Sequence, residues 1–262
     1  MLLAFVVGTG SLLFPHEFLT RQLTDAKSVQ SSHLALVRIY GAILLGASVV
    51  WYKCRKSKDE SVIGTMLWSR SLGLLFQILT MLNHLIYVGN KFTDFFAYFI
   101  LGSTVLWLLA NTLQILRKYP KLGHYEQGGA LTWVFRLDFF ITFLAGLAFM
   151  AFPQVFTWLF AKESNYIHRY ITQLLGGSML GNVWMSWYGT SFYLERDKKA
   201  IFLSRILTTM LIMAVLLYGN IMEGYPKVEH MWMLFMWYTP LLLGVAGLLV
   251  IQGQRQIQMK KK

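Results

Sequence analysis

A chain of 262 residues would suit one or two soluble domains, but 56% of it is hydrophobic, 16% aromatic and only 14% charged, where a soluble domain carries about 25% charge. The net charge of +12 would suit a nucleic-acid partner, yet the basic residues are segregated between long uncharged runs such as 71–90 and 95–116, which argues for a membrane and against nucleic acid. A single cysteine, Cys54, excludes an internal disulfide and a cysteine-based metal cage.

The uncharged runs are apolar all round. They lack the alternation of barrel strands and match the roughly 20 residues a helix needs to cross a bilayer. Taken in chain order they predict eight spans, at 2–14, 33–52, 62–88, 92–116, 130–152, 167–193, 200–222 and 230–252. The first is half a span and stops at Pro15. It lacks the basic n-region of a signal peptide, so it is read as a helix. The hydrophilic stretch 117–127 and Gly128-Gly129 form a junction after the fourth span. Pro240 lies inside the eighth span and predicts a kink.

Charge sidedness supports the count. With eight spans, the basic segments around 53–58, 117–121 and 196–199 and the C-terminal tail fall on one side with fourteen Lys and Arg, against five on the other (Arg21, Lys27, Lys91, Lys162 and Lys227). The positive-inside rule places both termini and these segments in the cytosol. The net charge is then mostly topology, with some attraction to anionic headgroups.

The chain also repeats itself. Phe14-Pro15 recurs as Phe152-Pro153, His33 as His168, Gly41 to Gly46 as Gly176 to Gly181, Trp51-Tyr52 as Trp187-Tyr188, and Ser69-Arg70 as Ser204-Arg205. The offsets lie between 135 and 138, in consistent order. Even-numbered units share one orientation, so the two would be related by an axis along the membrane normal. The expected fold class is an all-α integral membrane protein of two parallel four-helix repeats, 1–120 and 129–254, with a basic cytosolic tail at 255–262. The first repeat starts about where the second has Asp138.

One half of this pattern resembles a small four-helix membrane protein family induced by the p53 tumour suppressor. The residues that carry the resemblance are Phe14-Pro15, then Arg38-Ile39-Tyr40-Gly41-Ala42-Ile43-Leu44-Leu45, then Trp51. The second half fits loosely, with Gln173 and Leu175 in place of Arg38 and Tyr40. The resemblance implies a compact four-helix membrane module in tandem. That family is not known for a catalytic residue set, so no site carries over.

Ala42-x-x-x-Gly46 and Gly177-x-x-x-Gly181 put small residues on one helix face, which lets helices approach closely in lipid. Internal packing is their first reading and a docking surface the second. Arg70 and Arg205 lie inside the third and seventh spans, where a charge costs roughly 3 kcal/mol on insertion scales and calls for a partner or a role. They are read as snorkelling residues or structural pairs, with contact to a lipid phosphate as the functional reading. Arg136 with Asp138 is read as an internal pair. His33 and His168 are interfacial polar residues that symmetry would hold apart, and no thiol or carboxylate joins them to make a metal site. Asn83-His84, Gln77 and Asn111 are read as interhelical hydrogen-bonding groups. Cys54, within Lys53-Cys54-Arg55-Lys56, is a juxtamembrane candidate for palmitoylation. Trp232, Trp237 and Tyr238 are denser in the eighth span than interfacial anchoring needs.

No His-Glu-x-x-His, Gly-x-Ser-x-Gly or P-loop pattern occurs, so no catalytic residue, metal or cofactor is expected. The expected function is a non-enzymatic accessory subunit of a larger membrane complex, meeting membrane lipids and other integral membrane subunits, and helping lipid transfer or uptake from the bilayer. The endoplasmic reticulum is its expected membrane. The alternative is a transporter or lipid scramblase with a pathway between the repeats.

Overall fold

The computed structural model describes residues 2–123, 128–158, 165–222 and 227–260, with side chains except at 26, 156–158, 220, 222, 227–237 and 257–260. Ten α-helices are described: α1 (Leu2–Leu13), α2 (Pro15–Thr20), α3 (Ser31–Cys54), α4 (Glu60–Val88), α5 (Gly102–Lys118), α6 (Ala130–Ala151), α7 (Pro153–Trp158), α8 (Tyr166–Gly189), α9 (Glu195–Met222) and α10 (Lys227–Lys260). A π-helical segment, Phe95–Leu101, leads into α5. Among the described residues, five helical segments are long and apolar enough to cross a membrane: Ser31–Cys54, Glu60–Lys91, Phe95–Lys118, Ala130–Ala151 and Glu195–Gly219.

The other three expected spans fare differently. The first is α1, only 12 residues long. The sixth is α8, whose length suffices but whose faces carry Gln173, Ser178, Asn182 and Ser186. Most of α8 is buried against other helices, so protein takes the place of lipid around it and an all-apolar surface is not required. The eighth is α10, whose first eleven side chains, those of Trp232 and Trp237 included, lie outside the described residues. Pro240 is inside this helix. The helix continues through 255–260, so most of the expected tail is helical.

Prolines set the breaks at one end of the bundle. Phe14 and Phe152 adopt nearly the same conformation (φ −125°, ψ 56° and φ −126°, ψ 53°). A residue before proline is pushed out of the helical region, and proline then opens α2 and α7 at the first helical position, where its missing N–H is no loss.

Helices α3 and α8 occupy the centre and touch each other. Around them the packing crosses between the two halves of the chain: α4 packs mainly on α8, and α9 on α3 as well as on α10, while α3 and α4, or α8 and α9, scarcely meet. Helix α1 packs on α3 and α6 on α8. The contacts correspond residue by residue. Ser69 Oγ donates to the Gly181 carbonyl at 2.7 Å, and Ser204 Oγ to the Gly46 carbonyl at 2.7 Å. A Cβ added to Gly181 would overlap Gly73, and one added to Gly46 would overlap Thr208. A Cβ on Gly41 would stand 2.6 Å from the Gly8 carbonyl oxygen, and one on Gly176 2.8 Å from that of Gly146. Small residues thus set how closely four helix pairs approach.

Both apolar clusters draw on both halves. One gathers Leu36, Ile39, Phe92, Phe96, Phe149, Ile167, Tyr170 and Ile212. The other gathers Val50, Trp51, Cys54, Val62, Phe135, Phe192, Ile201 and Phe202. At the end carrying the basic segments, Ser57 Oγ donates to Asp197 at 2.5 Å, the Tyr193 N–H donates to Asp59 at 2.7 Å, and the 120–123 stretch lies against Gly64 and Ser191. At the opposite end the 22–24 segment hydrogen-bonds to 91–93.

Candidate functional site

The expectation that His33 and His168 stand apart is overturned. Helices α3 and α8 meet at their first turns, and His33 Nε2 lies 3.1 Å from His168 Nδ1, with the rings 4.0 Å apart. The Gln30 N–H donates to His33 Nδ1 at 2.8 Å, which makes that nitrogen the acceptor and leaves the proton on Nε2. That proton faces His168 Nδ1 and Asn165 Oδ1, at 3.0 Å. His168 Nε2 is then protonated and donates to Ser32 Oγ at 2.9 Å. Asn165 Oδ1 also caps α8 by accepting from the Ile167 and His168 N–H groups, both at 3.0 Å. Every ring nitrogen has a partner with both rings neutral. Among the described residues no group of three or more His, Cys, Asp or Glu is placed to hold a metal ion.

The expected Arg136–Asp138 pair is also corrected. Two residues apart on a helix, these side chains leave on different faces. Asp138, 1% exposed, turns inward from α6 and pairs with Arg205 Nε of α9 at 3.0 Å. It also accepts a short hydrogen bond from Ser186 Oγ of α8, and Arg205 reaches the same hydroxyl at 3.2 Å. Arg136 instead lies over the Trp187 ring, 3.6 Å from its centroid. Cys54 is fully buried beside Val50, Trp51 and Val62, so its thiol is not presented at the surface as acylation requires. Ala42 and Gly177 are buried, and Gly177 packs against Phe76 and Gln77 of α4. Gln77 donates to Ser178 Oγ at 2.9 Å, and His84 Nδ1 to the Thr80 carbonyl at 3.0 Å.

Arg70 is the counterpart of Arg205 and has different company. Its Nη1 donates to Asn111 Oδ1 at 3.1 Å, and its guanidinium stands over Trp51 (4.7 Å) and Trp107 (5.9 Å). Its Nε is buried without a hydrogen-bond partner. No carboxylate pairs with it among the described residues.

Each arginine lines a cavity. The Arg70 cavity measures about 390 Å³ and is walled by α1, α3, α4, α8, the π-helical segment and α5, with Val7, Tyr40, Leu74, Phe99 and Trp107 on its surface. The Arg205 cavity measures about 280 Å³ and is walled by α3, α6, α8, α9 and α10. Asn182 and Ala47 line both. The larger volume falls within the range of small-molecule sites, about 300–1,000 Å³. The walls differ in closure. Helix α10 packs on α6, whereas α5 and α1, in the corresponding places, do not pack on each other. The first cavity therefore opens sideways between α1 and α5, past Leu3, Phe14, Phe95 and Phe99, which are all exposed. A π-helical stretch is uncommon, and such stretches often mark functional places; here it forms part of this wall.

Sequence reading singled out Arg70 but missed Trp107, Asn182 and Gly73. Gly73 had a faint signal, because it stands at the same offset from Thr208 as Ser69 does from Ser204.

A family model described as a domain of unknown function (DUF8292) matches residues 1–249. No curated protein and no solved structure matches the chain.

Proposed function

The chain belongs to the DUF8292 family, and from its geometry we propose that it is a non-enzymatic, multi-pass membrane subunit that takes lipid from the bilayer within a larger membrane assembly. The observation that carries this reading is the sideways-open, largely apolar Arg70 cavity. Its mouth lies between α1, which at 12 residues is shorter than an ordinary span, and α5, whose outer face bears exposed Leu106, Leu109, Leu113 and Leu116. A short helix thins or deforms the adjoining bilayer, which suits entry of an acyl chain. Loops are short, so other subunits are met within the membrane or at the basic end.

The same proposal includes eight spans in two parallel four-helix halves, with both termini cytosolic, in the endoplasmic reticulum. Support comes from the matched contacts of α4 with α8 and α9 with α3, and from the 53–58, 120–123 and 193–197 segments lying at one end. Protease protection of terminal tags in sealed microsomes tests the orientation: both tags should be cleaved without detergent.

Purification from native membranes in mild detergent tests the function. Lipid should remain bound in native mass spectrometry, and other membrane subunits should co-purify. A lipid-free monomer would sink the reading. The rival, a transporter or scramblase, is favoured by one feature: Asn182 and Ala47 line both cavities, so little separates them. Lipid flux by the purified protein in vesicles would reverse the ranking.

A further inference from the structure

The two cavities differ in electrostatics more than in shape. Within the second, Arg205 is neutralised by Asp138 on the neighbouring helix. Within the first, Arg70 has an amide oxygen and two aromatic faces, and its Nε points at no acceptor. The remaining charged groups lining that cavity are Glu17 and Arg21, one turn apart on and just after α2, and opposite in sign. The cavity therefore carries one uncompensated positive charge in an apolar setting. A buried charge without a counter-charge is costly, and an anion that arrives with its own hydrophobic chain would relieve that cost. Asn182 lines the same cavity, and its amide makes no hydrogen bond among the described residues. Its neighbour Gly181 accepts from Ser69, the residue before Arg70, so the amide and the guanidinium belong to one level of the bundle.

We infer that the Arg70 cavity is selective for an acidic lipid of the bilayer, whose phosphate or carboxylate headgroup is held by Arg70 and whose chain leaves between α1 and α5. This rests on the lipid-uptake reading and adds the class of lipid. Guanidinium suits the headgroup because it presents donors in a planar fork. The aromatic rings of Trp51 and Trp107 stand beside that fork and hold it in place. Asn111 fixes one of its nitrogens.

The test uses the full chain reconstituted in phosphatidylcholine vesicles with a trace of diazirine-bearing phosphatidic acid or diazirine-bearing phosphatidylcholine. Cross-linked peptides are quantified by mass spectrometry. Phosphatidic acid should label peptides of α1, α4 and the 95–107 stretch well above phosphatidylcholine. Arg70→Gln should cut that preference roughly tenfold, the fold-change of one lost charge-assisted hydrogen bond, while Arg70→Lys retains part of it. The double variant Asp138→Asn with Arg205→Gln should keep it. Equal labelling by the two lipids, or a preference unchanged in Arg70→Gln, overturns the inference and leaves lipid uptake standing. Loss of labelling on adding excess inorganic phosphate also overturns it, since the site would then take a free anion. No labelling of these peptides by either probe overturns both the inference and the uptake reading. Thermal unfolding of Arg70→Gln separates lost binding from lost fold: a variant that melts as the wild type yet keeps full preference counts against the inference.

Discussion

Asp138 is held by groups that no local pattern reveals. Its partner Arg205 is 67 residues away, and its third contact, Ser186, comes from α8. Breaking a buried pair from one side leaves the other charge stranded, which costs about 3–5 kcal/mol, whereas removing both charges is often close to neutral. Asp138→Ala should therefore lower the thermal midpoint sharply, and Asp138→Asn with Arg205→Gln should recover most of it. A double variant as unstable as the single one would show that the pair acts other than through charge. The histidines give a second residue-scale expectation. His168 is fully buried and links Asn165, His33 and Ser32. His168→Leu leaves several of these groups unsatisfied, at about 1–3 kcal/mol each at most, while exposed His16 should tolerate leucine within about 0.5 kcal/mol. Equal melting of the two variants would contradict the buried chain of hydrogen bonds. Both histidines were visible in the sequence as matched positions. Their meeting was not, because a repeat fixes which residues correspond and leaves open how far each stands from the symmetry axis.

At the level of helices, small residues were legible as faces but not as partners. Gly181 lies against Gly73 backbone and Gly46 against Thr208, contacts between the second helix of one half and the third of the other. Backbone cannot step aside as a flexible side chain can, so Gly181→Ala should push α4 from α8. The expected loss is about 1–3 kcal/mol. Gly10 has open space where a Cβ would go, and Gly10→Ala should be neutral or gain up to about 1 kcal/mol from reduced unfolded-state freedom. Melting curves of the two variants check the contrast, and a Gly181→Ala protein as stable as Gly10→Ala would mean that this helix contact relaxes freely. Helix α8 is absent from the five long apolar segments for a related reason. A helix enclosed by protein can carry Gln173, Ser178 and Ser186, each with a hydrogen-bond partner, and composition then loses its link to membrane depth.

For the whole molecule, the exchange of helices between halves decides what is a folding unit. Two boundaries, near 120 and 129, followed from the hydrophilic junction, and a tandem module reading would let each half fold alone. The packing argues otherwise. Helix α4 packs on α5 of its own half but more extensively on α8, and α9 lies on α3 as much as on α10. Both apolar clusters are assembled from both halves. A half chain would expose the faces of α3 and α4 lined by Gly46, Ser69 and Gly73, together with the Ser69 hydroxyl, to lipid. Lipid offers that hydroxyl no hydrogen bond. Expressing 1–123 and 128–262 separately should therefore give two unstable fragments. Expressing them together should give a complex that survives purification, because every interhelical contact is retained and only the connecting segment is cut. The check is co-purification through a tag on one fragment, with the protease-resistant yield of each fragment alone as reference. Two fragments that are each stable and monomeric would mean that the interleaved packing contributes little. The Arg70 cavity would then lose the α8 wall that brings Asn182 to it, so this experiment also asks whether the candidate lipid site needs both halves of the chain.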